Sequence, residues 1–118
     1  MKTDIDKYRI VSKIFVGTNL KLVFQNHNDT TDRKILELKE VVGFIENVEP
    51  DKPIKTLRLD EEGGSYNLNL SLRLKREEIN NFPEVFIFVD TTCVNFCFRA
   101  VAKFIDFRDW TEKDKWLP

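Results

Sequence analysis

Two stretches decide the fold: Leu36-Glu37-Leu38-Lys39-Glu40-Val41-Val42-Gly43-Phe44-Ile45-Glu46 and Phe96-Cys97-Phe98-Arg99-Ala100-Val101-Ala102-Lys103-Phe104-Ile105-Asp106. Shifted by 60 residues, Leu36 and Leu38 fall on Phe96 and Phe98, Val41 on Val101, and Phe44 and Ile45 on Phe104 and Ile105. Lys39 falls on Arg99 and Glu46 on Asp106. An Asp-Thr-Thr triplet precedes each, at 29–31 and 90–92, one residue out of that register. The region from Val85 to Phe107 is dense in β-branched and aromatic residues and reads as a hairpin. The match then makes 33–46 a long strand. A helix remains the alternative, because Ile35, Leu38, Val42 and Ile45 also recur at helical spacing and Thr31 or Asp32 could cap it.

Outward from these stretches, period-two alternation recurs. Tyr8, Ile10, Ile14 and Val16 alternate with Arg9 and Lys13, and Gly17-Thr18-Asn19 turns the chain into 20–25. Leu57 and Leu59 alternate with Arg58 and Asp60. The regular series Leu68, Leu70, Leu72, Leu74 reads as a strand over 66–74, with Asn67, Asn69, Ser71 and Arg73 on its other face. A turn over 61–65 precedes it, where Gly63 and Gly64 supply backbone freedom. The core is expected at Leu70 and Leu72 with Phe86, Phe88 and Phe98. Glu49-Pro50-Asp51-Lys52-Pro53 is the strongest loop signal, and Arg76–Asn80 fits one helical turn.

The expected plan is one domain over 1–118, mostly β (all-β or α+β). It is an antiparallel sheet, sandwich or partly open barrel of about seven strands. Strands 7–16, 20–25 and 33–46 make one three-stranded unit, and 66–74, 85–89 and 93–107 a second, with 54–60 between them. An internal duplication would relate 7–48 to 66–107. Residues 108–118 read as a tail or short helix.

Charge and composition narrow the function classes. Lys and Arg number 19 and Asp and Glu 20, a net charge of −1, with 42% hydrophobic and 33% charged residues. This balance fits a globular protein and argues against a nucleic-acid mimic or a broadly basic nucleic-acid binder. No apolar run reaches the roughly 18 residues of a membrane span. The charged start, Met1 to Asp6, lacks the apolar core of a signal peptide, so the expected location is the cytoplasm. Cys93 and Cys97, on one strand, would lie about 13 Å apart, beyond the roughly 7 Å reach of a disulfide. They read as packed thiols without a metal.

Chemistry-bearing motifs are scarce. Nucleophile-elbow, phosphate-loop and dinucleotide fingerprints are absent, and no cofactor is expected. His27, the single histidine, could serve as a base beside Asp29, but it also reads as an ordinary loop residue between strands. Paired carboxylates at 61–62 and 77–78 read as solvated charges. Arg99 and Lys103 share a strand face opposite Phe96, Phe98 and Phe104, which are read as core. That segregation disfavours a single-strand nucleic-acid platform. Trp110 and Trp116 lie in a polar tail, where they either fold back over the sheet or contact a partner. The leading expectation is a non-enzymatic protein-binding module: an inhibitor, immunity protein, adaptor or assembly component. Its partner is another protein or a second copy, met through Trp116, Trp110, Arg99 and Lys103. The runner-up is a nucleic-acid-binding β-barrel, and the third an enzyme using His27 and Asp29.

Overall fold

A computed structural model describes residues 1–47, 53–61 and 64–114. Seven strands form one antiparallel sheet: β1 (Lys2–Asp4), β2 (Tyr8–Val16), β3 (Asn19–Asn26), β4 (Arg33–Glu46), β5 (Thr56–Asp60), β6 (Glu84–Phe88) and β7 (Phe96–Asp109). Their spatial order is β1-β5-β6-β7-β4-β3-β2, and the sheet does not close into a barrel. One helix, α1 (Ser65–Leu74), and 3-10 turns at Glu77–Asn81 and Glu112–Asp114 complete the fold. Among the described residues no helix is long and apolar enough to cross a membrane.

The segment 33–46 is a strand throughout, as its match to 93–106 implies. Its β-branched residues, Ile35, Val41, Val42 and Ile45, suit a pleated surface better than a helix. β4 pairs with β7 along nearly its whole length, from Lys34 opposite Asp109 to Glu46 opposite Phe98. Midway the pair bends. Glu40 takes a positive φ of 55°, and the register slips between Val41 and Gly43. The bend is tied to the β2–β3 hairpin, whose Thr18 C=O accepts from the Val41 N–H and whose Asn19 side chain accepts from the Glu40 N–H. Such bends let one strand serve two layers of a folded-over sheet.

The main core therefore joins residues from both ends of the sheet: Leu20, Leu22, Phe24, Leu36 and Leu38 with Leu57, Val85, Ile87, Phe98 and Ala100. Ile5 sits in it too, where the chain crosses from β1 to β2. Its N–H donates to Lys55 C=O, and the Tyr8 N–H to its own C=O. Leu70, Phe86, Phe88 and Phe98 are buried as expected.

The segment 65–74 is a helix, not a strand. Its leucines favour a helix, and it contains no β-branched residue. The sheet position it was expected to fill belongs to β5, which pairs with β6. As a helix it turns Leu70, with Tyr66 half-buried, onto Val42 and Val101, in a small second core completed by Ile79 and Phe82. Asn67 donates to both Ile79 C=O and Phe82 C=O, stapling α1 to the next turn. Gly43 makes room for the helix: a Cβ there would lie 2.8 Å from the Tyr66 hydroxyl and 2.9 Å from Leu70. Leu72, expected in the core, is 68% exposed. The correspondence of 66–74 with the first strand of the other unit is lost with the same change.

Smaller corrections follow the strand ends. β7 begins at Phe96, and Cys93 stands in the preceding turn with a positive φ of 59°. Both cysteines are free thiols. β7 also runs on to Asp109, taking the first two residues of the expected tail. Residues 49–52 of the expected loop and 62–63 of the expected turn lie outside the described residues, and Ser65, expected in that turn, opens α1.

Candidate protein-binding surface

β7 overruns its neighbour β6. The two pair only from Phe96 to Val101, and the last bond on that flank joins the Ala102 N–H to Pro83 C=O at 3.4 Å. Beyond it β7 has β4 on one side and, among the described residues, no strand on the other. The Trp110 N–H donates to Arg33 C=O at 3.0 Å. Antiparallel alternation then directs the backbone groups of Asp106 and Arg108 toward β4 and those of Ile105 and Phe107 away from it. Those groups of Ile105 and Phe107 form a short unpaired edge.

Beside this edge lies a groove of about 570 Å³. Leu59, Glu61 and Pro83 line it together with Phe104, Ile105 and Asp106 of β7, and Glu37, Lys39 and Lys103 add charge. Ile105 and Phe107 are half-buried against the main core, and the Phe107 ring meets Phe24 edge-on at 5.6 Å. Phe104 is 58% exposed, with the Lys103 ammonium 5.7 Å from its ring centre. This overturns the reading of Phe104 as core. Ala100 and Ala102 face the core, as do Ile105 and Phe107, so the inward phase skips a residue at the bend and leaves Phe104 outside.

Charges of both signs frame the groove. Glu37 lies 3.5 Å from both Lys21 and Lys39 and 3.8 Å from Arg108. Arg108 also grips Asp114 with two bonds of 2.8 and 3.0 Å. The guanidinium, helped by donors from Thr111, holds the Asp114 carboxyl down to about 2 despite its burial. This pair clamps the chain after β7 onto the strand.

The four residues expected to meet a partner separate in space. Lys103 lies at the groove, 3.7 Å from Glu40. Trp110 follows directly after β7, half-buried, with the Arg33 guanidinium 5.6 Å from its ring centre. Trp116 lies outside the described residues. Arg99 is elsewhere: it forms a bidentate pair with Glu84, whose side chain is 1% exposed. Its guanidinium stacks between Tyr66 and Phe86, at 5.1 and 4.6 Å. That geometry braces α1 against the sheet.

Two further apolar surfaces are exposed, the α1 leucines Leu68, Leu72 and Leu74, and the rings of Phe15 and Phe44, 5.7 Å apart. The β7 edge itself carried no sequence signal, because it depends on where β6 stops.

No family model, curated protein or solved structure matches this chain. The remaining chemistry is sparse. His27 is exposed, and Asp29 spends its carboxylate on the Thr31 N–H and hydroxyl, which lowers its pKa. Among the described residues no group of three or more His, Cys, Asp or Glu is placed to hold a metal. Tyr8 has the most strongly raised hydroxyl, pushed up to about 12 by burial and by its bond to Asp32. It ties the start of β2 to the turn before β4.

Proposed function

We propose that the protein is a non-enzymatic protein-binding module whose partner adds an extended strand to the free edge of β7. The observation that carries this reading is the outward-facing backbone of Ile105 and Phe107 beside a groove of mixed apolar and charged lining. Strand addition draws affinity from main-chain bonds and specificity from flanking side-chain pockets, and both are at hand. An edge left open in this way otherwise invites aggregation. Free thiols at Cys93 and Cys97 fit a reducing compartment such as the cytoplasm. Nucleic-acid binding is less favoured, because Phe86 and Phe88 are buried beneath Arg58 and Arg99 rather than offered to bases.

A pair of variants isolates the backbone. Ile105→Ala and Ile105→Pro both lose the side chain, but only proline removes the outward N–H, and it leaves the bonds to β4 in place. In affinity capture from the native host, Ile105→Ala should retain the partner and Ile105→Pro should lose it. Equal retention by both would contradict strand addition. Oligonucleotide binding with a steep salt dependence would favour the nucleic-acid reading instead.

A further inference from the structure

The β7 edge has a sequence that complements itself. We infer that its partner is a second copy of this chain, joined β7 to β7 in antiparallel register about a two-fold axis at Phe107. The inference rests on the strand-addition reading above and names the occupant of that edge.

Ile105 and Phe107 face the open side, and Asp109 continues that alternation. A second β7 can therefore pair only in registers that place these odd-numbered residues opposite one another. Centring the axis on Phe107 sets Phe107 against its own copy and Ile105 against Asp109 as hydrogen-bonded pairs. The pairs between them, where side chains approach more closely, become Asp106 with Arg108 and Phe104 with Trp110. Symmetry makes each of these contacts twice.

Both pairs are favourable. Asp106 and Arg108 carry opposite charges; the Asp106 side chain, 64% exposed, lies 3.4 Å from Arg108 of its own strand, and the same two groups of the other copy would extend that pair into a cluster of alternating charges across the axis. Phe104, 58% exposed, would be covered by the indole of the other copy. The neighbouring registers are worse. Centring on Asp106 puts that carboxylate against its own copy, and like charges directly opposite destabilise a ladder. Centring on Ile105 sets Phe104 against Asp106 and leaves no ion pair. Charge and aromatic complementarity thus select one register of a closed dimer.

The test is sedimentation equilibrium with thermal melting on the full chain under reducing conditions. The unaltered protein should be a reversible dimer. Asp106→Arg sets a cation opposite Arg108 in each copy and should weaken the dimer about tenfold or more, while the exposed intrachain pair it also removes should lower the melting temperature of the monomer only slightly. Leu72→Asp, on the exposed side of α1, should leave the dimer intact. A protein that stays monomeric at the highest concentration it tolerates would overturn the self-pairing. The Ile105→Pro capture result would then show whether strand addition survives with a different partner. A dimer indifferent to Asp106→Arg, or abolished by Leu72→Asp, would place the interface elsewhere and also overturn it.

Discussion

β4 and β7 pair with each other at the centre of the sheet, and each overruns its outer neighbour. β4 outruns β3, whose pairing ends at Leu38, and β7 outruns β6, whose pairing ends at Val101. On β4 the Asn47 N–H donates to Cys97 C=O, so Phe44 and Glu46 turn their backbone outward just as Ile105 and Phe107 do on β7. The two overhangs differ in what lies beside them. At β4 the neighbouring β2 closes over the edge: Lys13 reaches Glu46 at 2.6 Å, and Phe15 lies against Phe44. At β7 the groove lined in part by Leu59, Pro83 and Phe104 opens instead. Equal strand pairing thus yields one shielded edge and one available edge, and the difference is made by side chains from a third strand.

The end of β7 that carries β6 should be the most fragile. Arg99→Ala leaves Glu84 buried without its counter-ion, and removing one partner of such a pair costs about 3–5 kcal/mol. Chemical denaturation of the variant measures this. A loss below about 1 kcal/mol, typical of an exposed pair, would mean that Glu84 is open to solvent.

Core and helix positions should separate next. Leu36→Ala, in the main core, should cost about 2–5 kcal/mol. Leu72→Ala, on the exposed side of α1, should stay within about 0.5 kcal/mol. Comparable losses would restore the reading of 66–74 as a core strand.

A smaller effect than the core and ion-pair losses concerns pH at the clamp beside the open edge. Asp114 has a folded-state pKa of about 2, below its ordinary value near 3.8. A depressed carboxylate contributes stability that is present above the unfolded value and is lost as pH falls through the folded one. Between about pH 4 and 2 the Arg108–Asp114 clamp should therefore weaken, by on the order of 1–2 kcal/mol. Trp110 fluorescence would follow its release, and Asp114→Asn should remove that transition.

Much of the sheet was legible because its strands carry β-branched and aromatic residues at period two. Residues 33–46 read correctly once compared with 93–106, since a helix would have wasted the β-branched side chains. The Leu68–Leu74 series misled because alternating leucines suit either structure in isolation. What decided it was β5 occupying the place beside β6, a fact of topology that local pattern does not encode. The bend was silent as well, since Glu40 adopts a positive φ without the glycine that usually announces one. Of the residues expected to meet a partner, Lys103 lies at the groove and Trp110 just past β7. Phe104 was misassigned, because the skipped phase at the bend turns it outward.

Amide hydrogen exchange at Ile105 and Phe107, resolved by residue, tests the open edge of β7 most directly. In dilute monomer these two amides should exchange fast while those of Asp106 and Arg108, bonded to β4, are protected. Raising the protein concentration should then protect Ile105 and Phe107 in step with association. Protection of both at every concentration would mean that the edge is already covered within the chain, and that β7 offers nothing to a partner.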